Sequence, residues 1–279
     1  MRRSIALMVV FVVLAAIALG VVVVRSRGGH SAAPPPLPPP PPKPFRIVFP
    51  EGFTRREMTE RITAVNGIAY RERGVRPRLS GNAYLKATAG KVRVPGFGHA
   101  RYPYEGFLFP ATYEFLKKTT SKQLVRNQLI AFERNWSGVN LRYARRKNLT
   151  PYDVLTIASM IEKEAQAPNE RPLVAAVIYN RLHARMPLQI DATIRYGLDI
   201  PPTESLHESQ LHNPSPYNTR VHTGLPPTPI ANPGLASIQA AAHPAKVDYL
   251  YFVRKPDKVH HFFTSSYRAF QNYANAHGY

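Results

Sequence analysis

The chain has 279 residues, and 37 Lys and Arg against 17 Asp and Glu leave a formal charge of +20. Hydrophobic residues make up 44% and charged ones 19%, enough to bury one or two ordinary cores, so a fully disordered or fibrous protein is excluded. The absence of cysteine excludes disulfide scaffolds, thiolate metal sites, iron–sulfur clusters and thiol nucleophiles.

Residues 5–24 carry no charge, and as a helix they would cross roughly 30 Å of hydrocarbon. Arg2, Arg3 and Ala16-Ile17-Ala18 also fit a cleaved signal peptide, but the apolar run continues through Val24, so an uncleaved transmembrane anchor over 1–24 is expected. Arg25 and Arg27 nearly balance Arg2 and Arg3, and the sequence slightly favours a cytoplasmic N-terminus. Nine of the eleven residues over 34–44 are proline, which predicts a polyproline II spacer within a linker spanning 25–44. The positive charge follows the anchor: residues 25–150 hold 24 basic and 7 acidic side chains, residues 151–279 hold 11 and 10.

From position 45 onward, short apolar alternations mix with helical periodicity and predict an α+β architecture. Phe45-Arg46-Ile47-Val48-Phe49 alternates as a strand, and Thr54 caps a helix expected to end near 65, with Glu57 as capping-box partner. The basic, glycine-interrupted stretch 71–101 predicts no element, and a domain break is expected over 116–122. Thr150-Pro151-Tyr152-Asp153 starts a helix over 151–166, with Thr at the N-cap, Pro at N1 and an acid in the first turn. Val154, Leu155, Ile157, Ala158 and Ile161 form its buried stripe, and Glu162 and Glu164 fall on opposite flanks about 160° apart. Two carboxylates so separated cannot grip one bond together. Asn169 is expected to cap a helix over 170–185, Asp191 a short helix closed by Gly197, and Asn232-Pro233 to open a helix through 242. Tyr249-Leu250-Tyr251-Phe252-Val253 and His261-Phe262-Phe263-Thr264 predict a hairpin turning at Pro256-Asp257.

In His207-Glu208-Ser209-Gln210-Leu211-His212 the histidines lie five residues apart rather than the four of a helical zinc motif, so no metal is predicted. No nucleophile elbow, P-loop or dinucleotide turn occurs, and no cofactor is expected. The basic middle would suit nucleic acid on composition alone. Beside an anchor and a spacer, anionic headgroups or wall polymers are the commoner partners, a solvated basic surface with no specific ligand is the alternative, and no nucleic acid is expected.

The blocks Ser159-Met160-Ile161-Glu162-Lys163-Glu164, Asn180-Arg181-Leu182, Pro187-Leu188-Gln189-Ile190-Asp191-Ala192-Thr193, Tyr217-Asn218-Thr219, Thr223-Gly224-Leu225-Pro226-Pro227 and Ile230-Ala231-Asn232-Pro233-Gly234 resemble the YceG-like family. Upstream, Tyr104-Glu105-Gly106-Phe107-Leu108-Phe109-Pro110 is similar to the family's E-G-F-L-F-P stretch. The likeness is dense over 104–263 and thin before it. Glu51-Gly52-Phe53-Thr54 resembles the helix entry that follows a LysM-like module, for which the preceding chain is short, and Ala111 stands where the family often has Asp.

The resemblance implies a membrane-anchored endolytic murein transglycosylase that cleaves the MurNAc-β-1,4-GlcNAc bond of nascent peptidoglycan and leaves 1,6-anhydro ends. It implies glycan strands as substrate, wall-synthesis enzymes as partners, and a catalytic region on the extracytoplasmic side of the inner membrane. It assigns catalysis to Glu164, the second glutamate of the E-K-E triplet; the residues alone do not choose it over Glu162. Position in the matched blocks makes Asn180, Gln189, Asp191, Tyr217, Asn218 and Thr219 the candidate substrate-binding residues. The expected organisation is an anchor over 1–24, a linker over 25–44, a basic, partly LysM-like α+β region over 45–118 and an α+β catalytic domain over 119–279. Two alternatives stay open: a hydrolytic muramidase, needing Glu170 or Asp191 as second carboxylate, and an idle wall-binding adaptor.

Overall fold

The computed structural model describes residues 41–278. The anchor expected over 1–24 and the prolines up to position 40 lie outside the described residues. Among those described, no helix is long and apolar enough to cross a membrane.

The architecture is mixed α+β, as expected. In chain order, strand β1 (Phe45–Val48) precedes helices α1 (Arg55–Arg73) and α2 (Gly81–Ala87), short strands β2 (Lys91–Val92) and β3 (Tyr102–Pro103), and strand β4 (Thr112–Phe115). β4 returns to β1 antiparallel, setting Ile47 opposite Tyr113, and β2 pairs with β3. Helices α3 (Ser121–Trp136), α4 (Arg142–Arg146) and α5 (Pro151–Glu164) follow, then a 3-10 turn (Pro168–Glu170) and α6 (Arg171–His183). Next come α7 (Asp191–Leu198), α8 (Glu208–Leu211) and α9 (Leu235–Ala242), the antiparallel hairpin β5 (Tyr251–Arg254) and β6 (His261–Thr264), and α10 (Tyr267–Ala276).

Several boundaries differ from the expectation, each for a local reason. Helix α1 runs past 65 to Arg73, because one internal glycine, Gly67, costs about 1 kcal/mol while the face bearing Met58, Ile62 and Ala69 is buried. Its stop is Gly74, left-handed at φ 61°, whose N–H closes on Tyr70. The stretch 71–101 contains α2, capped by Ser80, and β2. Helix α5 ends at Glu164 rather than 166, since Ala165 is already extended. Asn169 caps nothing; it lies in the 3-10 turn, and Glu170 occupies the N-cap position of α6 without making a capping bond. Asp191 is the first residue of α7 rather than its cap, and Asp199, at φ 63°, closes that helix in place of Gly197. Gly197 sits inside it, where a Cβ would come within 2.6 Å of the Tyr217 Cβ. Asn232 opens no helix: α9 begins at Leu235, and the Asn232 side chain is engaged elsewhere.

Two cores organise the described chain. One gathers Ile47, Phe49, Met58, Ile62, Tyr84, Leu108 and Phe115 around the β1–β4 pair. The other surrounds α5, whose predicted stripe of Val154, Leu155, Ile157, Ala158 and Ile161 is fully buried against α6 and α9. Helix α3 sends Leu124 into the first core and Phe132 into the second. Phe107 and Leu108 divide in the same way, so the segment carrying Glu105 runs along the seam.

Candidate active site

Thr150 and Asp153 close a capping box at the start of α5, and the buried stripe fixes its rotation. The two glutamates near its end are thereby separated. Glu162 turns to the start of α9 and accepts the Gly234 N–H at 2.9 Å. Glu164, the last helical residue, turns into a cleft of about 1110 Å³ lined by both carboxylate-bearing and cationic side chains. Small-molecule sites usually enclose about 300–1,000 Å³, so this cleft stands at the upper end of that range.

Burial pushes the Glu164 carboxyl up to about 7, and the nearby Asp191 charge adds to the rise, while Arg254, the Ala192 N–H at the start of α7 and Arg220 act against it. The C-terminal end of a helix also disfavours negative charge. Asp191 is itself balanced: one of its oxygens accepts from Arg220 Nε at 2.9 Å and Nη2 at 2.6 Å.

The six candidate binding residues divide into two groups. Gln189 and Asp191 line the cleft, Gln189 in the left-handed region at φ 54°. Asn180, Tyr217, Asn218 and Thr219 do not line it, because their polar atoms are engaged within the protein. Asn180 donates to the carbonyls of Val247 and Tyr249 ahead of β5. Asn218, fully buried, donates to the carbonyls of Leu211 and Asn213 and accepts the Arg220 N–H. Thr219 receives the Ile190 N–H on its hydroxyl and the Gln189 N–H on its carbonyl. The Tyr217 hydroxyl pairs with that of Thr228 at 2.9 Å, and its ring packs on Tyr196. Thr219 holds the segment that carries Gln189 and Asp191, Asn218 holds Arg220, Tyr217 ties to the Thr228 loop, and Asn180 fixes the approach to β5.

The candidate list omits other residues of the cleft. Glu105 is buried, and the Arg55 N–H donates to both its oxygens at 3.0 and 3.2 Å, Tyr196 to one at 3.1 Å and Asn232 to the other at 2.7 Å. Desolvation nevertheless pushes its carboxyl up to about 7. Asn232 also accepts the N–H groups of Gly106 and Leu108, with Gly106 at φ 90°, where a Cβ would meet Pro229. Arg56 pairs with Asp199, tying the start of α1 to the end of α7. Arg181 links Leu250 at the hairpin to Pro187, Leu188 and the Gln189 side chain. The E-G-F-L-F-P and I-A-N-P-G blocks were the sequence signals for Glu105 and Asn232.

Two curated proteins resemble this chain over part of its length. The chain is 41% identical over 155 residues to the endolytic murein transglycosylase of Bacillus subtilis (strain 168), and 41% identical over 161 residues to that of Streptococcus pneumoniae (strain ATCC BAA-255 / R6). The matches cover 56% and 55% of this chain but 43% and 28% of those relatives, so the chain spans less than half of their length. A crystal structure of a YceG-like protein from Listeria monocytogenes superposes with a TM-score of 0.66 at 29% identity, covering 83% of this chain and 76% of that one. The YceG-like family profile matches residues 37–276, and the chain belongs to that family.

Proposed function

We propose that the chain is an endolytic murein transglycosylase in which Glu164 is the acid–base group. The observation that carries this reading is a half-buried carboxyl at the end of α5, open to the cleft and held at about 7, beside an Asp191 paired with Arg220. A carboxyl poised there is protonated often enough near neutral pH to act as general acid. Glu164 gives its proton to the oxygen of the MurNAc–GlcNAc bond as that bond breaks. Its carboxylate then takes the proton of the muramyl 6-hydroxyl, whose oxygen closes on C1 to form the 1,6-anhydro ring. No water is consumed. The 6-hydroxyl is tethered at high effective concentration, so the step needs no second carboxylate, whereas a retaining or inverting hydrolase requires one about 5–5.5 or 6.5–9.5 Å away.

Gln189 and Asp191 are proposed to meet the sugars directly, with Thr219 and Asn218 fixing the segments around them and Asn180 and Tyr217 fixing neighbouring segments. Strand β1, helices α1 and α2 and the return of β4 onto β1, with the short β2–β3 pair inserted between α2 and β4, support the reading of 45–118 as a partly LysM-like region, and its basic charge supports contact with wall polymers. The catalytic region is taken as 119–279. The 1–24 segment is proposed as a single membrane span, with the linker over 25–44 holding the rest outside the cytoplasm beside wall-synthesis enzymes. A reporter fused after Tyr279 should be active only when exported; activity confined to the cytoplasm would overturn the topology.

Digestion of purified glycan strands in water labelled with heavy oxygen tests the chemistry. Products should end in 1,6-anhydromuramic acid, one water lighter than hydrolysed ends and free of label, with long strands shortened before small fragments accumulate. Labelled reducing ends would mean that water attacks and would make Asp191 the missing second carboxylate. Binding without cleavage would leave an adaptor.

A further inference from the structure

Glu170 and His261 form a buried pair, each 5% exposed, to which the proposed chemistry gives no task. Glu170 reaches from the 3-10 turn ahead of α6: one oxygen accepts the His261 backbone N–H at 2.9 Å, and the other lies 2.7 Å from Nδ1 of the same residue. Both oxygens being committed to one residue, Glu170 is unsuited to activating water. In the hairpin register His261 stands opposite Arg254, so the two side chains share a face, and both line the cleft that holds Glu164. Phe252 and Phe263 set their rings across the imidazole at 5.4 and 6.0 Å. Nε2 has no hydrogen-bond partner among the described residues and is not among the polar atoms sealed from solvent, so it keeps some exposure on a side chain that lines the cleft.

A core histidine satisfies both nitrogens inside the protein; this one has one nitrogen held by a carboxylate and the other partly exposed on a side chain that lines a cleft. With Nδ1–H donating to Glu170, the neutral ring carries its lone pair on Nε2. We propose that His261, oriented by Glu170, accepts a hydrogen bond from a hydroxyl or acetamido N–H of the glycan bound beside Glu164. His261 is then a second substrate-contacting group and Glu170 its positioning residue. The identity of the ligand rests on the transglycosylase reading.

Glu170→Gln tests the pair without changing volume. The His261 backbone N–H keeps the glutamine oxygen, which turns the amide NH₂ toward Nδ1. Nδ1 must then accept, and the ring proton moves to Nε2, converting that acceptor into a donor. In the full chain labelled with ¹⁵N-histidine, the His261 ring should switch from the Nδ1–H to the Nε2–H tautomer. kcat/KM on glycan strands should fall about 10–100-fold, the loss expected from one hydrogen bond in a desolvated site. His261→Phe should lose a similar factor, and His261→Gln, whose amide oxygen can accept, should recover part of it. A ring that does not switch, or one that switches while cleavage is unchanged, overturns the proposal. A binding readout stands apart from turnover: adding glycan strands to Glu164→Gln should move the His261 Nε2 resonance. If other histidine resonances move and this one does not, the contact is refuted. If none moves and the wild type cleaves no strands, the transglycosylase reading fails, and the proposal falls with it.

Discussion

Glu105 and Glu164 line the same cleft, and burial brings both carboxyls to about 7, but their surroundings differ in kind. Around Glu105, donors from α1, α7 and the Asn232 loop occupy both oxygens. Around Glu164 the local influences are mostly charges, Asp191 against Arg254 and Arg220, with one backbone N–H. A raised pKa therefore does not single out the reacting group. What separates the two is whether the oxygens are already taken.

The largest effect expected from this contrast is in Glu164→Gln, which removes the proton donor at constant volume. Cleavage of glycan strands should fall about 10²–10⁴-fold, with the melting temperature nearly unchanged. Glu105→Gln should behave in the opposite sense, because glutamine cannot accept from every donor that Glu105 serves. A loss of about 1–3 kcal/mol, on the order of 5 °C in Tm, should accompany a few-fold change in rate. If Glu105→Gln abolished cleavage at full thermal stability, the roles would be reversed.

The same pair is separable by pH. As general acid, Glu164 predicts that cleavage declines about tenfold per unit above pH 7. Asp191→Asn removes a charge that raises its pKa and should move that limb to lower pH; Arg254→Gln removes one that lowers it and should move the limb higher. Shifts in a common direction would remove Glu164 from the pH profile. For Glu105 the readout is stability. Its folded pKa lies above the unfolded value of 4.5, so the folded state retains a proton that the unfolded chain releases. That contribution is full below about 4.5 and is lost as pH rises through about 7. The Tm difference between wild type and Glu105→Gln should accordingly shrink from pH 5 to pH 8, and a difference independent of pH would refute the assignment. The smallest effect belongs to Glu162→Gln. It removes a charge at the start of α9, about 0.3–1 kcal/mol, and should leave cleavage within a few-fold of wild type.

Local signals were legible in the sequence where the information is local. Thr150, Pro151 and Asp153 announced α5, its periodicity placed Glu162 and Glu164 on different flanks, and the β5–β6 hairpin followed from two apolar runs and a turn. The cleft was less legible because its walls are joined across the chain. The Asn232 side chain meets the Gly106 N–H at a separation of 126 residues, and no periodicity reports such a partner. Asn180, Asn218 and Thr219 were legible as polar residues in distinctive blocks. Nothing in an isolated sequence tells whether an amide faces a sugar or a backbone carbonyl.

The Asn232 junction also fixes an order of assembly. Gly52 and Phe53 exchange backbone hydrogen bonds with Asn232 at 2.9 Å, and the N–H groups of Gly106 and Leu108 depend on its side chain. At about 5–20 residues synthesised per second, the Glu105 segment waits roughly 6–25 s for Asn232 to emerge. The buried members of the β1–β4 core all precede residue 126 and can collapse in that interval, whereas the α5 core still lacks Ile230 and Ile238. The nascent chain thus has seconds in which its first core can gather around a hydrated, unclosed seam, and it gains its cleft wall only after Asn232 has emerged.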